Sequence, residues 1–310
     1  MKIALTGASG LVGSRFFDLL KSKYEIIPMS SSYGVDITDK NKVHKFLLSK
    51  SPTLIVHMAA KTNVDLCEED YREDSKKLKK EEILDKGEII FEGLGTEDWK
   101  GSRSAFGINV VGTKILSDYA RKAEIPMIYM STDFVFDGEK SGEYTEEDST
   151  NPINWYGQTK LWGEKVLPEE SLIARISYPY GYRSQVKRDF VWGLLDILKK
   201  EDIARLICDQ IITPTFVDDI IMALDLLIER KYLGLLNIVG NNFLSPYEIG
   251  VVISREFGLP EIKIDTTTRE ELYKGRARRP FKIMLKNDKL RALGFEMTDF
   301  FEALRKIRQE

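Results

Sequence analysis

Tyr156 and Lys160 stand four residues apart in the stretch YGQTKLWGEK. On a helix this spacing puts both side chains on one face. A free tyrosine has a pKa of about 10 and is a poor acid or base near neutrality. A cation one turn away favours the phenolate and brings the phenol toward the working range. Tyr-x-x-x-Lys alone also arises as an ordinary surface pair, so its companions matter. Upstream, MIYMSTDFVFDG closes an apolar run with Ser131, Thr132 and Asp133. In an open α/β sheet, ligands bind beyond the carboxyl ends of the strands. A hydroxyl at Thr132 is placed there to orient a carbonyl oxygen; its competing task is to cap the turn after the strand.

The chain begins MKIALTGASGLVG, a short strand followed by Gly7, Gly10 and Gly13. The spacing is G-x-x-G-x-x-G. A strand that turns tightly into a helix presents unpaired N–H groups, and glycine lets the main chain approach a pyrophosphate. Gly7, Ser9, Gly10, Leu11, Val12 and Gly13 are therefore candidates to hold a dinucleotide, with a plain tight turn as the alternative. After the second strand come Ser30, Ser31 and Ser32. Hydroxyls there suit a 2′-phosphate, whereas the acid that NAD-preferring sites carry would repel it. The pattern favours NADP(H) and leaves NAD(H) open. Asp36 and Ile37 follow as candidates to cradle the adenine, with a turn role equally open for Asp36.

These groups need a scaffold, and the sequence supplies one. KIALT (2–6), YEIIPM (24–29), TLIVHM (53–58), PMIYMS (126–131), SLIARIS (171–177) and LLNIV (235–239) are short apolar runs of the buried-strand kind. Between them lie helical patterns: LVGSRFFDLLKS, KNKVHKFLLSK, INVVGTKILSDYARKA and WYGQTKLWGEKVL. Alternation of this kind predicts an α/β fold, a doubly wound, Rossmann-like parallel sheet. One segment breaks the rhythm. Of the 21 residues 68–88, 15 are charged, which reads as a solvated helix with i,i+4 pairs or as disorder. Phe91, Leu94 and Trp99 then suggest that the insert docks on something. Further on, SPYEIGVVISREFGL reads as a helix capped by Ser245 with Pro246 in its first turn, and KNDKLRALGF and DFFEALRKIRQ read as two terminal helices.

Composition narrows the classes. The 310 residues carry a formal charge of only -3, with no long basic stretch, which argues against a nucleic-acid partner. No apolar run approaches the ~20 residues of a membrane span, and no secretory leader is visible, so a cytoplasmic protein is expected. Two cysteines, Cys67 and Cys208, and two histidines, His44 and His57, give no disulfide or metal-ligand spacing, so no metal is expected.

Taken in order, the chain resembles an extended short-chain dehydrogenase/reductase, and within that superfamily the dTDP-4-dehydrorhamnose reductase family. STDFVFDG, YTEEDSTNPINWYGQTKLWGE, DQIITPTFVDDI and RARRPFKIMLKNDKLRALGF carry the likeness, over nearly the whole chain except about 68–104. The resemblance implies a dinucleotide-binding domain at 1–177 plus about 217–243, and a smaller interwoven C-terminal substrate-binding lobe at about 178–216 plus 244–310. It implies NAD(P)H-dependent reduction of a nucleotide-linked 4-keto-6-deoxy sugar. Tyr156 would give a proton to the developing alkoxide, Thr132 would hydrogen-bond it, and Lys160 would tune the tyrosine and hold the ribose. Ala59, Ala60 and Lys61 would line the nicotinamide, with Tyr178 and Pro179 closing over it. Thr62, Val64, Phe134, Tyr178, Thr215 and Arg279 would face the nucleotide sugar. Asn109 would brace the active-site strands, or serve as a buried helix residue. Phe134 stands where family members often have Tyr, and the stretch 180–192 is more basic than the family pattern. A homodimer is left open. So are an epimerase or dehydratase on the same scaffold and a non-catalytic NADP-binding regulatory subunit.

Overall fold

β1 (Lys2–Thr6) is buried along almost its whole length and ends directly at the glycine turn, after which α1 (Leu11–Leu20) begins. In the computed structural model, residues 1–80, 84–85, 88–89, 91, 94–183, 188–200, 203–259 and 263–309 are described. Residues 184–187 of the basic stretch, and 81–83, 86–87, 90 and 92–93 of the charged insert, lie outside them.

The chain divides into two units, Met1–Ser131 with Pro152–Ile173, and Thr132–Asn151 with Ala174–Glu310. In the first unit, α1 is followed by β2 (Glu25–Met29), α2 (Lys40–Lys50), β3 (Leu54–His57) and α3 (Val64–Lys80). A short antiparallel pair follows, β4 (Leu84–Asp85) and β5 (Glu88–Ile89). Then come α4 (Thr113–Ala123), β6 (Met127–Thr132), α5 (Trp155–Lys165) and β7 (Ser171–Ile176). All four residues of β3 and all six of β6 are buried, as expected of parallel strands covered on both faces.

Helix starts follow local chemistry. The Asp39 carboxylate accepts from Lys42 N and caps α2, and the Asn154 side chain accepts from Gly157 N and caps α5. The helix read in INVVGTKILSDYARKA begins as a π-helical stretch, Gly107–Gly112, before α4. The charged segment is helical through Lys80. Leu78, Leu94 and Trp99 are buried in the first unit's core with Phe106, Trp155 and Trp162, so the insert docks on its own unit.

In the second unit, β8 (Pro179–Tyr180) is followed by α6 (Phe190–Lys200), β9 (Ile203–Ile207), β10 (Thr215–Phe216) and α7 (Val217–Glu229). Next come β11 (Gly234–Asn237), α8 (Pro246–Glu256), β12 (Lys263–Thr267), α9 (Arg269–Leu272), α10 (Asp288–Ala292) and α11 (Phe300–Arg308). α8 starts on the expected Ser245 cap: Ser245 and Glu248 exchange side-chain and backbone bonds in a full capping box. Two small parallel pairs, β8 with β10 and β9 with β12, are formed in this unit.

The main sheet has six strands in the order β11-β7-β6-β3-β1-β2. β1 pairs in parallel with both β2 and β3, and β3 with β6. The strand order reverses between β1 and β3, and a doubly wound sheet offers its ligand crevice at that reversal. The chain passes from the first unit into the second at the end of β6 and again within β7. Among the described residues no helix is long and apolar enough to cross a membrane.

Candidate active site

The glycine turn leaves β1 beside that reversal, and its geometry tolerates little but glycine. Gly7 has φ +70°, and a Cβ there would stand 2.6 Å from the backbone of Met58 and Ala59. Gly10 N donates to Gly7 O at 2.8 Å and closes the turn. A Cβ on Gly13 would lie 2.1 Å from Gly7 O, so the first turn of α1 packs directly on the loop. Gly10 is the N-cap of α1 and offers no side-chain cap, and the first turn holds no acid. Ser9 is exposed, and Leu11 and Val12 are half-buried. A bare helix N-terminus behind a tight loop is a cradle for a phosphate. After β2, Ser31 is exposed, and the Ser30 and Ser32 hydroxyls are 2.6 Å apart. The Asp36 carboxylate accepts from Thr38 N at 2.9 Å and Thr38 Oγ1 at 2.8 Å, which is the turn role. Ile37 is buried against Gly112.

α5 carries Tyr156, half-buried, and Lys160, 2% exposed. Lys160 Nζ donates to Met130 O at 2.7 Å and sits 4.0 Å from the centre of the Tyr129 ring. Burial pushes its pKa down to about 7, against a smaller opposing pull from Glu164. Asn109 ties this helix to the loop after β3. Its Oδ1 accepts from Lys61 N at 2.8 Å, and its Nδ2 donates to Lys61 O and Thr159 Oγ1 at 3.1 and 3.0 Å. Asn109 is thus both buried and a brace. Lys61 Nζ pairs with Asp70 at 2.6 Å. Ala59 and Ala60 are half-buried beside it, Thr62 is exposed, and Val64 is the first residue of α3.

His57, at the end of β3, has a structural task. Thr113 Oγ1 donates to Asn109 O at 2.7 Å, so it must accept from His57 Nε2, 3.0 Å away. His57 Nδ1 is then an acceptor for Thr6 Oγ1 at 2.6 Å, and Thr6 Oγ1 accepts in turn from Met58 N and Ala59 N at 3.1 Å each. Burial first, and the nearby Lys160 second, push the imidazole pKa down to about 3, so the ring is neutral. This relay joins the ends of β1 and β3 to α4.

In the second unit, Thr132 Oγ1 donates to Asp133 Oδ1 at 3.0 Å and accepts from Phe134 N at 3.3 Å, capping the turn after β6. Asp133 also accepts from Ser177 Oγ at 2.8 Å, and burial raises its pKa to about 6. Tyr178 adopts φ +38°, a left-handed conformation that costs a tyrosine of order 1–3 kcal/mol and must be held by its surroundings. Its ring lies 6.3 Å from that of Phe134, and Pro179 beside it pairs with Thr215. Thr215 is fully buried, its hydroxyl donating to Thr213 O and accepting from Gly240 N. Arg279 stacks 4.5 Å over Tyr273 and donates to Ala277 O.

The sequence profile of the RmlD substrate binding domain family matches residues 1–81 and 97–310. The chain belongs to this family. A dTDP-4-dehydrorhamnose reductase of Aggregatibacter actinomycetemcomitans is 29% identical over 327 aligned residues, covering 99% of this chain and 98% of that protein. Among solved structures, a dTDP-4-dehydrorhamnose reductase from Clostridium acetobutylicum superposes with a TM-score of 0.82 at 30% identity, over 100% of this chain and 99% of that one. The Bacillus anthracis dTDP-4-dehydrorhamnose reductase, solved in complex with NADP, has a TM-score of 0.82 at 25% identity, covering 99% and 98%.

In this member of the RmlD family, residues of the charged segment also anchor the α5 region. Glu68 Oε2 accepts from Trp155 N at 2.9 Å, Asp70 Oδ2 from Ala105 N at 2.7 Å, and Asp74 Oδ2 from Trp155 Nε1 at 2.9 Å. The sequence offered no sign of this, because acids in a run of charges look alike until one of them is buried.

Proposed function

We propose that this protein reduces the keto group of a nucleotide-linked 4-keto-6-deoxy sugar, with NADPH as the reductant. The carrying observation is Lys160, buried one turn after Tyr156 on a helix whose start is held by Asn154 and Glu68. The full-length likeness to proteins named dTDP-4-dehydrorhamnose reductase supports the substrate class, and the NADP complex of one of them supports the cofactor.

The glycine cradle fits a dinucleotide. The amides of Leu11, Val12 and Gly13 would receive the pyrophosphate, and Ser30 and Ser31 the 2′-phosphate. Ala59, Ala60 and Lys61 would lie along the nicotinamide half, with Tyr178 and Pro179. When bound, the cofactor supplies the hydride that reaches the carbonyl carbon. Tyr156 gives its phenolic proton to the oxygen that becomes an alcohol. Thr132 donates a hydrogen bond to that oxygen, which requires its hydroxyl to turn from Asp133. Lys160, as an ammonium, favours the phenolate that Tyr156 leaves behind and holds the ribose. Arg279 offers a fork of donors for the sugar nucleotide's diphosphate.

The test is oxidation of NADPH and NADH by the purified protein with a panel of nucleotide-linked keto sugars. Turnover of a dTDP-linked 4-keto-6-deoxy sugar, faster with NADPH, is expected, with free release of oxidised cofactor. No turnover with any member of the panel would sink the assignment. Tightly retained cofactor, regenerated in each cycle, would point instead to an epimerase.

A further inference from the structure

Asp74 is an acid in the middle of a charged helix, yet it is only 2% exposed. One of its oxygens serves two elements at once. Oδ2 accepts from the Trp155 indole Nε1 at 2.9 Å and from Phe106 N at 3.1 Å. Burial raises its pKa, while bonds from Ser104, Trp155 and Phe106 oppose that rise. The surroundings are aromatic. Trp155 packs edge-on against Trp162 with centroids 5.3 Å apart, and Phe106 lies 6.0 Å from Trp162.

Both contacts lead to the reacting pair. Trp155 is the first residue of α5 and directly precedes Tyr156. Phe106 opens the π-helical stretch that carries Asn109, and Asn109 bonds Thr159, the residue before Lys160. A carboxylate that satisfies both donors therefore sets how α5 is seated on that stretch. Asp70 and Glu68, earlier on α3, hold Lys61, Ala105 and the Trp155 amide, but these two acids are less deeply buried.

We propose that Asp74 is a positioning residue for Tyr156 and Lys160, through its shared bond to the Trp155 indole and the Phe106 amide. The role rests on the one assigned to that pair in the proposed reaction. Removing the acceptor leaves two buried donors unpaired and lets α5 shift, and small displacements of catalytic groups lower kcat more than they alter substrate affinity.

The experiment compares Asp74→Leu, Asp74→Asn and Trp155→Phe in the full chain, each checked for native circular dichroism. It measures kcat, KM and amide hydrogen exchange at 155–160. Asp74→Leu is expected to lower kcat by at least ~10-fold with KM changed less than ~3-fold, and to speed exchange at 155–160. Asp74→Asn keeps an acceptor oxygen and is expected to retain kcat within ~3-fold. A folded Asp74→Leu variant with parental kcat and exchange overturns the proposal. So does Asp74→Asn falling as far as Asp74→Leu. If Asp74→Leu does not fold, Trp155→Phe decides. It removes the indole donor together with part of the ring packed on Trp162, so Trp162→Phe, which trims the same cluster and leaves the Asp74 bonds in place, is the control. Exchange at 155–160 faster than in that control supports the role, and exchange no faster than in the control overturns it. A wild-type protein inactive on every keto sugar defeats the reaction proposed above, whereas the exchange measurement still reads Asp74.

Discussion

The Lys160 ammonium nitrogen lies 2.7 Å from the Met130 carbonyl oxygen, which makes a charged side chain of α5 part of the interior beside β6. Burial disfavours the ammonium, and the pKa falls from 10.5 to about 7. A lysine so placed is costly to bury, and the reaction proposed for it requires the charged form that burial resists.

Lys160→Met is expected to abolish turnover and to raise Tm. Between about pH 7 and 10.5 the folded chain binds fewer protons at Lys160 than the unfolded chain does, so stability rises with pH through that window. Below about 7 the full penalty applies. The variant should therefore gain about 2–5 °C over the parent near pH 6, and the gain should fade toward about pH 10. Thermal unfolding across that range checks it. In the parent enzyme, kcat/KM should fall as pH rises through the Lys160 transition.

Tyr156→Phe removes the proposed proton donor and keeps the ring. A loss of ~10²–10⁴-fold in kcat is expected, with NADPH affinity close to parental. Steady-state kinetics beside a fluorescence titration of NADPH separate the two. Parental kcat in this variant would remove tyrosine from the chemistry.

His57→Gln tests the relay between Thr6 and Thr113. An amide cannot serve both hydroxyls as the ring does, and a cost of about 1–3 kcal/mol at pH 7 is expected. The ring's pKa drops from 6.5 to about 3 on folding, so the unfolded chain binds the extra proton in that window. Stability from this group is present above 6.5 and is lost as pH falls toward 3. Denaturant titrations at several acid pH values should show a smaller acid loss for the variant than for the parent.

Gly13→Ala places a methyl 2.1 Å from Gly7 O, and the contact is with backbone, which cannot swing aside. The loop must open to admit it. At least ~10-fold weaker NADPH binding is expected, with a lower Tm. Isothermal titration and thermal unfolding measure the two effects.

Ser31→Asp puts an anion where the 2′-phosphate is proposed to sit. Repulsion should lower kcat/KM with NADPH by ~10-fold or more and leave NADH nearly unaffected. Equal losses with both cofactors would show that Ser31 lies away from the ribose.

Much of this was legible in the chain itself. Apolar runs such as LIVH and MIYMST read as strands covered on both sides, and Gly7 and Gly13 mark a turn whose backbone leaves no room for a Cβ. Ser245 before Pro246 announces a helix start because capping is chemistry between near neighbours. Tyr156 and Lys160 share a face because of the helical repeat alone. Tertiary structure alone could decide which polar groups are buried and what they meet. Asp36 is engaged with Thr38, Thr215 is fully buried, and His57 spans two hydroxyls that lie 51 and 56 residues away. Asp74 differs from the acids around it only in its surroundings. Periodicity and capping depend on residues a few positions apart, whereas desolvation and hydrogen-bond pairing depend on what distant segments bring to the same place.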